Sequence, residues 1–129
     1  MKTAKTSWLL ARALFELARY DWMVYRHGSG RVLRQLRSQG TASKPASEEM
    51  ERTICEAVVL ATCLYWKPVL CLQRSVATAR LLRKHGVAAR LAIGYRPSPF
   101  FSHAWVEVDQ RVVNGSAAYP KRLRLLHVA

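Results

Sequence analysis

Acidic residues are scarce in this chain: 8 Asp and Glu stand against 21 Lys and Arg, a formal charge of +13 over 129 residues. A field of that sign favours acidic partners, whether nucleic acid, an anionic membrane or an acidic peptide, without choosing among them. Zinc-finger spacing and aromatic-bearing RNA-binding motifs are absent and the arginines are spread from Arg12 to Arg124, which weighs against nucleic acid. Cysteine is limited to Cys55, Cys63 and Cys71, an odd number with no C-x-x-C or H-x-x-x-H pair, so neither a disulfide framework nor a metal site is implied. Long apolar runs are missing too. "ICEAVVLATCLYW" carries one charge in thirteen residues and reads as a core helix, short of the ~18 apolar residues of a spanning helix, so no membrane insertion is expected. The basic start is broken by Arg12, Glu16 and Arg19 and lacks a small-residue cleavage site, so no secretory signal is read and a cytoplasmic protein with reduced thiols is expected. Half the residues are hydrophobic, enough for one domain to build a core without staples.

What is present is ordered as helices first and strands after. Leu10, Leu14, Leu17 and Ala18 share a stripe over residues 6–25, predicting a long first helix that ends at the basic, glycine-rich "RHGSG". Its Trp8, Phe15, Tyr20 and Trp22 form a face able to dock a partner or to wrap on the core. A short amphipathic helix, "GRVLRQLRS", turns Val32, Leu33 and Leu36 inward, and the breaker-rich "QGTASKPAS" reads as a linker. Ser47 then suits the N-cap of a helix whose first turn holds Glu48, Glu49 and Glu51 and which runs to about Leu64. After Pro68 a further helix starts near Cys71 and ends at "RLLRKHG", basic and then Gly86. Beyond it the period changes to two: "AARLAIGY", "HAWVEV" and "RVV" read as strands, the first with Ala89, Leu91, Ile93 and Tyr95 on one side. "RPSPFF" is expected as the loop between the first two, and "DQ" as the hairpin turn between the second and third. The fold class expected is α+β, with N-terminal helices and a central helix packed on a small antiparallel sheet.

Cys71 is the residue with a chemical claim. At the first turn of a helix a thiol meets aligned N–H groups and the positive end of the dipole, which favour the nucleophilic thiolate. Cys55 and Cys63 lie inside a predicted helix and read as small inert hydrophobes, a reading that also competes for Cys71. His103, at the start of a predicted strand, is the imidazole available to pair with a thiolate and to protonate a leaving amine. A structural strand histidine is its competing reading. His27 and His85 sit at helix ends as caps, and His127 lies near the terminus. With a two-residue hairpin at Asp109 and Gln110, Trp105 faces Asn114 and His103 faces Ser116, so Asn114 becomes a diagonal neighbour able to accept a ring N–H. Asp109 shares that parity but lies roughly 20 Å along the strand. Trp105 and Tyr95 are candidate cleft walls as well as core. Arg74 and Ser75 are candidates to orient the site.

The stretch from Cys71 to Gly115 resembles the leader-peptidase (B2) proteins of lasso peptide biosynthesis, which are transglutaminase-like cysteine peptidases. The likeness rests on "CLQRS" opening a helix, "GVAARL" entering a strand, and "HAWVEV" followed by a short turn and "RVVN"; the helical arm before them is similar as well. The resemblance implies a papain-like arrangement that cuts the leader from a ribosomally made precursor, with Cys71 as nucleophile, His103 as general base and acid, and no cofactor. It implies an aspartate directly after "VVN", where this chain has Asn114 and then Gly115. Either Asn114 substitutes or the triad is weakened. Residues 1–46 correspond to a helical arm and 47–129 to the peptidase core, within one compact unit. The chain opens at that arm and is similar to the split form, which implies a separate leader-recognition protein (B1 type) and the precursor peptide as partners. The lasso cyclase that acts next is a further candidate. Two alternatives from other classes stand beside this: a non-catalytic adaptor of the same fold that binds the precursor, and a basic nucleic-acid-binding domain.

Overall fold

The computed structural model describes residues 2–38, 48–97, 100–108, 111–114 and 124–128. The first helix, α1 (Lys2–His27), exceeds the expected span at both ends. It buries Leu9, Ala13 and Leu17, spaced by four, and ends where Gly28 takes φ +84°. There the Gly28 N–H donates to the Val24 carbonyl at 2.9 Å. Helix α2 (Ser29–Ser38) seats Val32 in the core. Helix α3 (Glu48–Leu64) buries Ile54, Ala57, Val58 and Ala61 and exposes Val59, Leu60 and Leu64. The expected Ser47 cap and the linker before it lie outside the described residues.

Helix α4 (Cys71–Lys84) is the central element and packs against α1, α3 and the first two strands. Its end follows the sequence expectation. Gly86 takes φ +82°, its N–H reaches the Arg83 carbonyl at 3.1 Å, and Val87 N–H reaches Leu82 at 3.0 Å. His85 adds a cap of its own, with Nδ1 2.9 Å from the Leu81 carbonyl.

Four antiparallel strands follow: β1 (Ala89–Pro97), β2 (Phe100–Val108), β3 (Arg111–Asn114) and β4 (Arg124–Val128), in the order β3-β2-β1-β4. Ala89, Leu91, Ala104, Val106 and Val108 join Val76, Ala79 and Leu82 of α4 in one buried cluster, so alternate residues of β1 and β2 form the helix-covered face. This is the α+β architecture expected. Three details differ. The ladder of β1 and β2 runs from Ala89↔Val108 to Pro97↔Phe100, so most of the expected "RPSPFF" loop is paired strand and His103 sits inside β2 rather than at its start. Strand β4, absent from the sequence reading, pairs with β1 on its other edge. The β2–β3 hairpin begins as expected with Val108↔Arg111 and Glu107↔Val112, then slips by one residue to Val106↔Asn114. Two successive valines explain the slip, since Val112 and Val113 both remain half-buried where strict alternation would send one of them outward.

Candidate active site

Cys71 is the first residue of α4 and is half-buried. The preceding Leu70 is extended, with φ −85° and ψ 168°, and provides no side-chain cap to the first-turn N–H groups. Those donors and the dipole behind them face the region of the thiol. Three residues of this turn fix its setting. Gln73 is buried and its Nε2 donates to the Leu17 carbonyl at 3.0 Å and to Asp21 Oδ2 at 3.1 Å, tying α4 to α1. Asp21 also accepts the Tyr65 hydroxyl and pairs with Lys67 Nζ at 2.6 Å, so the segment leading into α4 is held at the same carboxylate. On the other side, buried Ser75 donates to the Ala104 carbonyl of β2 at 3.1 Å. Arg74 reaches the same strand electrostatically, since its charge bears on His103. At 3.6 residues per turn Cys71 projects between Arg74 and Ser75, about 60° from the first and about 40° from the second, and faces away from Gln73. Arg74 and Ser75, on either side of the Cys71 direction, thus reach β2 at His103 and Ala104, while Tyr20 of α1 also stands close to Cys71.

His103 is half-buried and stacks on Trp105, with ring centroids 6.2 Å apart and planes at 20°. Trp105 Nε1 donates to Glu107 Oε1 at 2.8 Å. By strand alternation these three residues share the side of β2 opposite Ala104, Val106 and Val108. The partner of His103 across the ladder is Gly94, which puts no side chain beside the ring. Burial first, and then the Arg74 guanidinium, lower the His103 pKa below its ordinary value, so the ring is held neutral. The slipped hairpin changes the geometry expected for Asn114. Its register partner is Val106 rather than Trp105, three residues from His103 along β2, so it is not the diagonal neighbour of the histidine. Asp109 lies outside the described residues.

The other candidates sort clearly. Burial, reinforced by Glu51 and Glu56, pushes the Cys55 thiol up to about 11, the state of an inert thiol. Cys63 is exposed, contrary to the apolar surroundings expected of it. Trp105 is buried, so it packs rather than lines an open wall. His27 is exposed at the end of α1. Among the described residues no three His, Cys, Asp or Glu side chains converge as a metal site would require. Asp21 and Glu16 were not singled out by sequence reasoning, and Tyr20 only as part of an aromatic face of α1, whereas it is half-buried against the core. Burial pushes the Asp21 carboxyl up, but hydrogen bonds from Lys67, Tyr65 and Gln73 outweigh it and hold the group below its ordinary range. The Tyr20 hydroxyl is raised by burial, then by its closeness to Asp21 and Cys71, which marks it as a neighbour of the thiol. The signal for Glu16 was available: it stands seven residues from Leu9 and three from Ala13, on the buried stripe itself, in a chain rich in arginine.

A cysteine opening a helix that is pinned to a histidine-bearing antiparallel strand agrees with the family comparison. The sequence matches the transglutaminase-like superfamily over residues 12–127, and the chain belongs to that superfamily. Among characterised proteins it is similar to the microcin J25-processing protein McjB of Escherichia coli, 39% identical over 56 residues. That alignment takes in 43% of this chain and 27% of the relative, so the chain spans well under two thirds of the relative's length. Both findings agree with the resemblance to lasso peptide B2 proteins. No solved structure matches the chain.

Proposed function

We propose that this chain is a cysteine endopeptidase that removes the leader from a ribosomally made lasso peptide precursor, with Cys71 as nucleophile and His103 as general base and acid. The observation that carries the reading is the bracket around Cys71: Ser75 bonded to Ala104 and Arg74 bearing on His103. Superfamily membership and the likeness to a microcin-processing protein support it. In this mechanism the Cys71 sulfur, its proton taken by His103, attacks the scissile carbonyl. The oxyanion is met by N–H groups of the α4 first turn, where developing charge is stabilised without reorganisation. His103 then gives its proton to the leaving amine, and water hydrolyses the thioester as His103 accepts a proton again. Asn114, set back along β3, is the residue to test for orienting the ring. Residues 1–46 act as a helical arm on the core of residues 47–129. The partners proposed are a separate leader-recognition protein and the precursor, with the cyclase acting next, all in the cytoplasm. Among the described residues no helix is long and apolar enough to cross a membrane.

The decisive measurement is alkylation of the folded chain by limiting iodoacetamide at pH 6.5, read by mass spectrometry. Exposed Cys63 serves as the internal control. The expected result is labelling of Cys71 at least about tenfold faster than Cys63, an excess lost in His103→Ala, consistent with a base worth about 10²–10⁴ in rate. Cleavage of the precursor with the leader-recognition protein added should then be abolished by Cys71→Ala. The second reading, a precursor-binding adaptor, is favoured by Asn114 and Gly115 standing where the family carries its aspartate. It moves ahead if Cys71 labels no faster than Cys63 and Cys71→Ala leaves precursor binding unchanged.

A further inference from the structure

Helix α1 buries one face and leaves another bare. Trp8, Phe15 and Trp22 recur every seven residues and are 56%, 52% and 60% exposed. Ala11, Ala18 and Tyr25 follow each of them by three, all exposed, Tyr25 at 84%. The six alternate spacings of three and four over residues 8–25, the repeat that keeps one seam of a helix facing a partner helix. At 1.5 Å per residue the seam is about 26 Å long. Large and small residues alternate along it, which leaves hollows over Ala11 and Ala18 between the rings. One flank is equally regular: Arg12, Arg19 and Arg26, again seven apart, each follow a small or aromatic member of the second row, Arg26 exposed and Arg12 and Arg19 half-buried. Two of these cations lie against the seam, Arg12 5.0 Å above the Phe15 ring and Arg26 5.2 Å above the Trp22 ring. The other flank borders the domain itself, where Leu14 is packed against the core and Asp21 is bonded to Gln73.

We propose that this face of α1 is a docking seam for an amphipathic helix of a partner protein, one with apolar residues at three-four spacing and Asp or Glu beside them. The apolar area supplies the attraction and the three arginines choose the sign of the partner's flank. A second copy of this chain fits less well. An antiparallel pair would set Phe15 over Ala18 and Trp22 over Ala11, but it would also bring Arg12 toward Arg19 between two molecules of charge +13. The seam rests on α1 alone, so it stands independently of the peptidase reading.

The test uses the whole chain and a fluorescein-labelled peptide of about four heptads, with Leu and Ala on the seam and Glu on both flanks, against the same peptide with Lys on the flanks. Fluorescence anisotropy is expected to report at least about tenfold tighter binding of the Glu peptide, with the difference shrinking at about 0.5 M salt. Phe15→Ser and Trp22→Ser, at exposed positions, should each weaken it by about tenfold or more, Arg19→Glu should invert the preference, and Leu60→Ser on α3 should change nothing. Equal binding of the two peptides, or indifference to Phe15→Ser and Trp22→Ser in variants with unchanged melting temperature, overturns the proposal. So does a dimer in sedimentation velocity that Phe15→Ser dissolves, because the seam is then filled by a second copy.

Discussion

At His103 the environment opposes the charged ring: the group is half-buried, and Arg74, whose own Nε is buried without a hydrogen-bond partner, lies close by. A neutral imidazole is the form that accepts a proton from a thiol. Arg74→Met is therefore expected to raise the His103 pKa, read from the ring resonances in an NMR titration. It should also slow cleavage with little change in KM. The sign for stability follows from the same shift. The folded-state pKa lies below the unfolded value of about 6.5, so the unfolded chain takes up the proton first and stability falls as pH drops from about 6.5 toward the folded pKa. Urea midpoints measured down that window should fall less steeply in Arg74→Met. If the His103 titration is unmoved, Arg74 has no hold on the ring.

Between elements, the largest single commitment is a carboxylate. Glu16 of α1 is fully buried and meets Arg80 at 2.9 Å and Lys84 at 3.2 Å, both from α4, with Arg12 at 3.9 Å. Removing one member of such a cluster strands the opposite charges, whereas replacing the group with apolar side chains restores packing. Glu16→Ala should cost about 3–5 kcal/mol in urea unfolding, and the double change Glu16→Met with Arg80→Met should cost clearly less. Equal losses would mean that the ion pairs are held in the interior by nothing more than local packing. The helices were legible because each carries its own period and its own stop, as Gly86 shows at the end of α4. What escaped sequence reading is non-local. Strand β4 pairs with β1 about thirty residues back, and its alternation breaks because the ladder shifts between Ile93 and Gly94. The bulge that moves Asn114 away from Trp105 has the same origin: a pattern of alternate residues cannot announce the one residue that breaks it. Cys71 and His103 as candidates, and Arg74 and Ser75 as candidates to orient them, could be named from the sequence, but the atoms of β2 that Ser75 and Arg74 reach could not, because those belong to another strand.

For the molecule as a whole, charge and topology set the terms. At +13, affinity for an acidic partner should fall steadily from low to about 0.5 M salt, and a flat response would show that the charge plays no part in recognition. Strand β4 covers an edge of β1 that would otherwise present a row of unpaired backbone groups. Deleting residues 124–129 should therefore drive the chain into oligomers on size-exclusion chromatography, and a deletion variant that stays monomeric would mean that β1 is shielded by something else. The same placement has a consequence in time. Sheet order β3-β2-β1-β4 sets β1 inside, although it is made first and the strand on its outer edge is made last. Translation at about 5–20 residues per second puts roughly two to eight seconds between the two. For that interval the nascent polypeptide carries helices ready to pack and a strand with one naked border, so what the cell first encounters is a client for its chaperones.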